Sequence, residues 1–340
     1  LLDLGKFIED MLTRFEIMDP HPTFSVGRIT WLNVNLYLLC DLFVIPPTSP
    51  CRCSFMELVA DGPQDPLWFM SHWWGTPFRD TLIVLSFHSS TRGQPNTAPY
   101  WVCTFANNQH DLSELKQIDL HNTPFVRAIM APTCKGSVMV MDKTATPFRR
   151  TWCTLENFVT TTQDNKLLDI AALIHEGSQL VLDPNGGGWG KLGENVPACL
   201  MDDGSGHLVG EVGDERLGLQ FPPEVALAGV RTDIYTADAS NQSDKHDILR
   251  HIAGGALSSE EAPPSSHPGY DKVNLAIRCI FGPRALMGAA LKCDAEEARR
   301  LLDAGYASVS DEDHTGRTAL TIAAQNLSGE VDESRRVPLV

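Results

Sequence analysis

Hydrophobic positions near the N terminus follow a helical period. In residues 1–18 the apolar side chains fall on one helical face, at Leu1, Leu4, Ile8, Met11, Leu12, Phe15 and Met18. Prolines in residues 19–22 end this pattern. Residues 31–45 form the longest apolar run, and its periodicity leaves helix and strand open. Residues 54–62 are typical of a short helix that ends at a glycine.

Between residues 66 and 182, short apolar runs alternate with segments of helical period. Runs with strand character occupy residues 67–72, 100–106, 138–142, 167–174 and 179–183. Helical segments cover residues 78–85 and 122–130, and a third starts at Pro147, where a missing N–H costs nothing. This alternation predicts a parallel sheet with helices on both faces and ligand chemistry at the carboxyl ends of the strands.

The helix predicted over residues 147–158 carries the most suggestive carboxylate. Its apolar stripe consists of Phe148, Trp152, Leu155 and Val159. Glu156 stands at the edge of that stripe rather than opposite it, just after a buried strand. This arrangement is typical of an active-site edge, and the alternative is a solvated glutamate near Arg149 and Arg150.

Composition narrows the class of protein. The 340 residues are 43% hydrophobic and 21% charged, as in globular proteins. A net charge of -16 argues against a nucleic-acid partner, because phosphate binding needs an excess of Lys and Arg. The nine cysteines include one close pair, Cys51 and Cys53, without a second pair at metal spacing. We expect reduced thiols, no metal, a cytoplasmic location and no membrane span, since the run at residues 31–45 is short and contains polar residues.

The glycine-rich stretch at residues 185–193 does not fit a phosphate-binding loop. Asn185 stands where the motif needs its first glycine, and Leu192 replaces the Ser or Thr that would hold magnesium. Residues 201–270 read as a connecting segment of hairpins or irregular chain, with a short helix over residues 244–255 and a linker at residues 258–269.

After residue 270 the pattern becomes helical throughout. Ala285-Leu286 recurs 34 residues later as Ala319-Leu320. The segment resembles ankyrin repeats: residues 318–321 match the turn, 301–306 the end of the second helix and 313–316 the hairpin finger. One repeat does not bury its own apolar face, so we expect the array to continue past Val340 or to borrow helices from residues 271–284.

Three motifs in the central segment follow each other in a recognisable order. They are MSHWWG at residues 70–75, WVCTFANNQHD at 101–111 and RTWCTLE at 150–156. They resemble the three motifs of heterokaryon-incompatibility (HET) domains, and TWCTLE also resembles the Trp-Cys…Glu motif of Toll/interleukin-receptor (TIR) domains. The resemblance implies a flavodoxin-like TIR/HET-like α/β domain over residues 61–200. A helical lead-in (1–60) precedes it, and the connecting segment (201–270) and an all-α ankyrin-like segment (271–340) follow.

The chain departs from these patterns at identifiable positions. Cys103 replaces the aspartate of the second HET motif, and Leu155 replaces the glutamine before the final glutamate. The arginine of the first TIR strand has no counterpart beside His72. These departures affect contacts to a ligand more than they affect the fold.

The TIR resemblance implies a reaction and a set of site residues. Enzymes of that family cleave the nicotinamide–ribose bond of NAD, which would be a substrate here, with no cofactor required. The leaving pyridinium is already cationic, so a carboxylate that stabilises an oxocarbenium-like transition state suffices. The resemblance assigns that role to Glu156. The bases of NAD would stack on Trp73 and Trp74. The ribose hydroxyls would bind Asn108 and Gln109. The pyrophosphate would pair with Arg149 or Arg150.

Each assignment has a structural alternative. The alternative for Trp73 and Trp74 is packing in the core or between helices. The alternative for Asn108 and Gln109 is capping of the segment after the second strand. The alternative for the two arginines is exposure to solvent or pairing with Asp142. Cys103 and Cys153 read as buried thiols, and a Cys103–His72–His110 catalytic site is a further alternative.

Two functions therefore stay open. One is an NAD hydrolase in signalling, with partner proteins bound by the ankyrin-like segment and self-association through the TIR/HET-like domain. The other is a non-catalytic assembly and interaction scaffold.

Overall fold

A computed structural model gives the structure of the chain. It describes residues 1–21, 26–95, 97–116, 120–142, 144–174, 181–182, 189–190, 196–202, 208–212, 223–254, 262–313 and 316–328. Most of the predicted glycine-rich turn (all but residues 189–190), the first third of the predicted linker (residues 258–261) and half of the hairpin finger (residues 314–315) lie outside the described residues.

The described residues form strands in three sheets. The strands are β1 (Ile17–Met18), β2 (Arg28–Ile29), β3 (Trp68–His72), β4 (Tyr100–Trp101), β5 (Gly136–Met141), β6 (Leu167–Ile174), β7 (Val181–Leu182), β8 (Trp189–Gly190), β9 (Val196–Asp202) and β10 (Leu208–Val212). The main sheet has the order β10-β9-β6-β5-β3-β4, while β1–β2 and β7–β8 form separate antiparallel pairs.

The predicted α/β class, with helices on both faces of a sheet, is confirmed, but the sheet is mixed rather than parallel throughout. Strands β4, β3, β5 and β6 are parallel to one another, whereas β9 pairs antiparallel with both β6 and β10. The antiparallel pair comes from residues that composition assigned mostly to a connecting segment. Of the run 179–183, predicted as a further strand of the set, residues 181–182 are described; they form β7, which pairs with β8 outside this sheet.

Helices surround the sheet. They are α1 (Leu2–Arg14), α2 (Leu36–Leu39), α3 (Ile45–Thr48), α4 (Phe55–Val59), α5 (Phe78–Thr91), α6 (Cys103–Ala106), α7 (Pro124–Met130), α8 (Thr151–Thr161), α9 (Pro223–Val230), α10 (Gln242–Ile252), α11 (Pro268–Leu291), α12 (Ala295–Asp303) and α13 (Ala319–Ser328). A π-helical turn, Cys40–Val44, joins α2 to α3, so most of the ambiguous run at residues 31–45 is helical.

Two apolar cores cover the two faces of the main sheet. On one face, Phe69 of β3 and Met139 of β5 pack with α8 and α11. On the other face, Met70 and Val138 pack with α5, and α1 covers α5. Neighbouring residues of a strand point to opposite faces, which is why Phe69 and Met70 belong to different cores.

Two predicted elements have different boundaries. Only Tyr100–Trp101 of the run 100–106 is a strand, at the edge of the sheet, and Cys103–Ala106 forms helix α6. The proline-started helix is also wrong in detail, since Pro147 lies in a 3₁₀ turn and α8 begins at Thr151. Ala145 before that turn has left-handed backbone with φ of 52°, so the chain does not run straight from β5 into α8.

The C-terminal helices join the core of the sheet domain. Phe281 of α11 is fully buried and its ring meets the Phe148 ring edge-on, with centroids 4.8 Å apart. At Gly282 a Cβ atom would lie 1.7 Å from the carbonyl oxygen of Tyr306, so only glycine allows this approach of α11 to the turn after α12. Helices α12 and α13 both pack on α11.

Candidate active site at the carboxyl edge of the sheet

Glu156 is held under the end of strand β3. It occupies the middle of α8, which packs across β3 and β5. Its carboxylate oxygen Oε2 accepts a hydrogen bond of 2.6 Å from Ser71 Oγ, and Ser71 is fully buried near the carboxyl end of β3. Glu156 is 6% exposed. The residue is therefore not a solvated surface charge, which removes the simplest alternative.

Burial controls the charge of this carboxyl group. Desolvation raises the pKa of Glu156 to about 7, and the hydrogen bond from Ser71 only partly opposes that rise. No arginine or lysine contributes to the shift. Glu156 therefore changes its charge near neutral pH, a property found frequently among acids that act in catalysis.

His72, the next residue of β3, contacts two cysteines. Its Nε2 atom lies 4.0 Å from Cys103 Sγ, and its carbonyl oxygen accepts a hydrogen bond from Cys153 Sγ. Burial lowers the pKa of His72 to about 4 and raises the pKa of Cys103 to about 12. These directions disfavour a thiolate–imidazolium pair. His110, the third group of that alternative, bonds instead to Thr48 Oγ1 at 2.8 Å.

The two tryptophans after β3 are partly buried. The Trp74 ring packs against the ring of Tyr37, with centroids 5.3 Å apart, and its Nε1 donates to Cys103 Sγ at 3.0 Å. The Trp73 ring lies over Gly75, where a Cβ atom would come within 2.3 Å of it. Trp74 thus links β3 to the N-terminal helical segment, and Trp73 depends on a glycine beside it.

Asn108 and Gln109 both donate hydrogen bonds to backbone carbonyl oxygens. Gln109 Nε2 donates to the carbonyl oxygens of Cys103 and Thr104, which satisfies the end of α6. Asn108 Nδ2 donates to the carbonyl oxygen of Arg52 at 2.8 Å. Gln109 therefore has the capping role that was the alternative to ribose binding, whereas Asn108 links its segment to residue 52.

Arg149 and Arg150 flank the start of α8 without pairing to Asp142. The Asp142 carboxylate instead accepts hydrogen bonds from Thr144 and Thr146. Arg149 is exposed and donates to the carbonyl oxygen of Thr144 at 3.1 Å. Arg150 donates to Ser240 Oγ, and Ser240 also lies within hydrogen-bond distance of the Tyr37 hydroxyl.

Two hollows open beside these elements. The larger, of about 490 Å³, is lined by Arg149, Arg231, Asp233 and Asp238 among others. The smaller, of about 260 Å³, lies where α7 and α8 meet α10 and α11. Of the predicted site residues only Arg149 lines the larger hollow, and none lines the smaller. The structure thus brings Glu156 to Ser71 but does not gather all predicted residues around one cavity.

Two buried hydrogen-bonded arrangements were not predicted from the sequence. Ser71 belongs to a recognised motif, and nothing in the sequence showed that its hydroxyl reaches an acid 85 residues away. The second is a buried hydrogen-bond network around Asp169. The presence of an acid inside the apolar run 167–174 could have indicated it. Asp169 accepts hydrogen bonds from His88, Arg92 and the backbone N–H of Asp202.

Among the described residues no group of three or more His, Cys, Asp or Glu side chains is arranged to hold a metal ion. None of the described helices combines the length and apolar character needed to cross a bilayer. Comparison of the chain with protein-family models, with curated proteins and with solved structures finds no match.

Proposed function

We propose that the chain is a cytoplasmic signalling protein whose TIR/HET-like domain hydrolyses the nicotinamide–ribose bond of NAD, with Glu156 as the catalytic carboxylate. One observation carries the proposal. A buried acid without a neighbouring cation, its pKa raised to about 7, sits at the carboxyl edge of a parallel strand pair. By contrast, the pKa values of the buried Asp169 and of Glu297 are lowered by their basic partners.

Strand order supports this location. The parallel part of the sheet runs β4-β3-β5-β6, which is the order 2-1-3-4 of a flavodoxin-like fold. In such sheets ligands bind outside the carboxyl ends of the strands where the order reverses, here between β3 and β5. Glu156 follows β5 along the chain and bonds to Ser71 of β3, so it spans that position.

The chemistry asks little of the protein. The nicotinamide leaves as a neutral molecule from a cationic ribosyl pyridinium, so no general acid is needed. Ionised Glu156 would stabilise the positive charge that develops on the ribose carbon, and water would complete the hydrolysis. A buried carboxylate interacts with that charge strongly because little water screens it. Arg149 is exposed beside the start of α8 and would pair with the pyrophosphate.

The ankyrin-like C-terminal segment would recruit partner proteins. Three features support the ankyrin assignment: the packed helix pair α11–α12, the left-handed Gly305 after α12, and Thr318, whose hydroxyl accepts from the Thr321 N–H as an N-cap. Leu320 is 78% exposed on α13, as expected of a helix face that a further repeat would cover.

The test is nicotinamide release by the purified chain and by Glu156→Gln. We expect slow release by the wild type that increases with protein concentration, because Glu156 is only 6% exposed and assembly would open the site. Release should rise about tenfold between pH 6 and pH 8, following ionisation of a group with a pKa of about 7. Glu156→Gln should abolish it at every pH.

Glu9→Gln on α1 is the matched control, since Glu9 is an exposed acid on a helix remote in sequence from the site. It should release nicotinamide at the wild-type rate. The amide oxygen introduced by Glu156→Gln would still accept the Ser71 hydrogen bond, so an inactive but folded variant is expected. Equal release by wild type and Glu156→Gln, or none from either at any concentration, would exclude the proposal.

The second candidate is a non-catalytic assembly scaffold. It is favoured by apolar side chains that the N-terminal segment exposes, including Phe7, Phe15, Met18 and Leu32, each more than half exposed. In this case the chain would self-associate, and Phe7→Ser and Leu32→Ser would raise the protein concentration at which half of it is assembled. NAD would not be consumed in the assembled state. Sedimentation together with the nicotinamide assay separates the two functions.

A further inference from the structure

The closely spaced cysteine pair, Cys51 and Cys53, lies in a tight turn between α3 and α4 and has no part in the proposed NAD site. Both residues are free thiols; Cys51 is exposed and Cys53 is half-buried. Desolvation, the charges of Cys51 and Glu57, and a side-chain hydrogen bond with Cys51 together raise the pKa of the Cys53 thiol. The two thiols are therefore within reach of each other.

The backbone of the residue between the two cysteines explains why they are so close. Arg52 has a φ of 50°, in the left-handed helical region. A residue with helical dihedrals of either hand places the Cα atoms on its two sides about 5.4 Å apart, as a rise of about 1.5 Å and a radius of about 2.3 Å require. Disulfides join Cα atoms that are about 4.4–6.8 Å apart. The turn thus holds the two cysteines at a distance that a disulfide spans.

Hydrogen bonds hold the turn in this shape. The backbone N–H of Arg52 donates to the carbonyl oxygen of Thr48 at 2.8 Å, and its carbonyl oxygen accepts from Asn108 Nδ2 at 2.8 Å. The Arg52 guanidinium donates to the carbonyl oxygen of His110 at 3.2 Å. Ser54 then starts the capping box of α4. Because these bonds order the turn beforehand, little backbone freedom is lost when the two sulfur atoms join.

We propose that Cys51 and Cys53 form a reversible redox pair, which hydrogen peroxide oxidises to an intramolecular disulfide. Cys51 is the exposed thiol of the pair, so its thiolate attacks one oxygen of peroxide; the O–O bond breaks, hydroxide leaves and a sulfenic acid remains. The Cys53 sulfur then attacks the Cys51 sulfur, and the S–O bond breaks with loss of a second hydroxide. The two thiol protons convert both hydroxides to water, so two thiols and one peroxide give one disulfide and two waters.

Reduction needs only a small thiol such as glutathione. The disulfide would lie on an exposed turn and close a ring of only three residues, and exposed or strained disulfides are the labile ones that thiols reduce readily. A glutathione thiolate attacks the exposed Cys51 sulfur and releases Cys53, and a second glutathione releases Cys51. Two glutathione molecules thereby restore both protein thiols and leave as one glutathione disulfide.

Tryptic mapping tests the proposal, because trypsin cuts after Arg52, between the two cysteines. The purified chain is treated with a small excess of hydrogen peroxide, unfolded and alkylated with iodoacetamide. The fraction that runs as a single chain on a non-reducing gel is then digested without reductant. We expect peptides 29–52 and 53–79 to stay joined after oxidation and to separate when glutathione is added before alkylation.

Three variants identify which sulfur atoms are joined. Cys51→Ser and Cys53→Ser should each abolish the joined product. Cys40→Ala should retain it, since Cys40 shares a peptide with Cys51 but is buried. Cys279 and Cys293 are an internal control, because both are exposed but the C-terminal half of α11 separates them. They should still be alkylated at the peroxide dose that joins the two peptides.

Arg52→Gly and Arg52→Val are a matched pair that tests the turn itself. Both remove the guanidinium, but glycine adopts positive φ freely whereas a β-branched residue resists it. Arg52→Gly should lose its free thiols to peroxide within about twofold of the wild-type rate, and Arg52→Val at least about fivefold more slowly, as followed by alkylation and intact mass. Equal rates for these two variants would overturn the proposal. So would oxidation of Cys279 as fast as Cys51, or loss of the joined product in Cys40→Ala.

Discussion

Two buried acids lie on opposite faces of one sheet, and their pKa values are shifted in opposite directions. Asp169 on β6 faces α5, whereas Glu156 on α8 lies over the other face. Asp169 receives hydrogen bonds from His88 Nε2 at 2.7 Å, from two nitrogens of Arg92 and from one backbone N–H. Glu156 receives one, from an uncharged hydroxyl.

The difference in partners sets the difference in charge. Burial alone would raise the pKa of Asp169, but the hydrogen bonds from His88 and Arg92 outweigh it and lower that pKa below its ordinary value. Burial of Glu156 meets no such opposition, so its pKa rises to about 7. A buried acid that is paired with a cation stays ionised at neutral pH, whereas a buried acid without a cation changes its protonation near neutral pH. This contrast separates the structural acid from the candidate catalytic one.

The largest expected effect is on the paired acid. Asp169→Asn removes the charge that compensates Arg92 and should lower the unfolding free energy by about 3–5 kcal/mol at pH 7, as found when one partner of a buried ion pair is lost. Urea denaturation followed by circular dichroism measures it. Asp164→Asn, an exposed acid just before β6, should change the value by less than about 0.5 kcal/mol. Similar costs for both variants would contradict the structural role of Asp169.

A smaller effect of opposite sign is expected for Glu156→Gln. Below pH 4.5, the ordinary pKa, the acid is largely protonated in both folded and unfolded chains, so the variant should match the wild type. As the pH rises to about 7 the unfolded chain releases its proton first, and the stability that protonated Glu156 contributes to the wild type is lost. By pH 8 the variant should be about 3 kcal/mol more stable.

Denaturation of the wild type and of Glu156→Gln at pH 4 and pH 8 gives the difference in their unfolding free energies at each pH. Contributions from all other titrating groups cancel in that difference. A variant that is less stable than the wild type at pH 8 would mean that Glu156 is ionised and compensated, as Asp169 is.

The smallest effect concerns Ser71. Its hydroxyl donates to the Glu156 carboxylate and favours the ionised form, so Ser71→Ala should raise the pKa of Glu156 further and cost about 1 kcal/mol of stability. The titration is followed by ¹³C NMR of the carboxyl carbon, assigned by its loss in Glu156→Gln. Ser137→Ala is matched, because Ser137 is also fully buried and bonds to Thr160 of α8 at 2.6 Å. It should cost similar stability and leave the titration unchanged; a shift of equal size would mean that packing, not the hydrogen bond, controls Glu156.

Sequence patterns predicted the elements better than their assembly. Strand β3, helix α7 and strand β6 follow from local periodicity and appear close to the predicted bounds. The antiparallel β9 was not predicted as a strand of the main sheet, because glycines in residues 201–236 suggested hairpins or irregular chain, whereas its pairing with β6 decides its structure. The stripe of α8 was recognised, but burial of Glu156 was not, since it depends on α8 lying across β3, a contact between residues far apart in sequence.

The place of Asp202 has a consequence for how the Asp169 cluster is completed. Its backbone N–H donates a hydrogen bond to the Asp169 carboxylate and its carbonyl oxygen accepts one from Arg92, although it follows Asp169 by 33 residues. The pairing of β9 with β6 brings Asp202 to this cluster, so Asp169 and Arg92 gain these two hydrogen bonds only when the edge of β6 is covered.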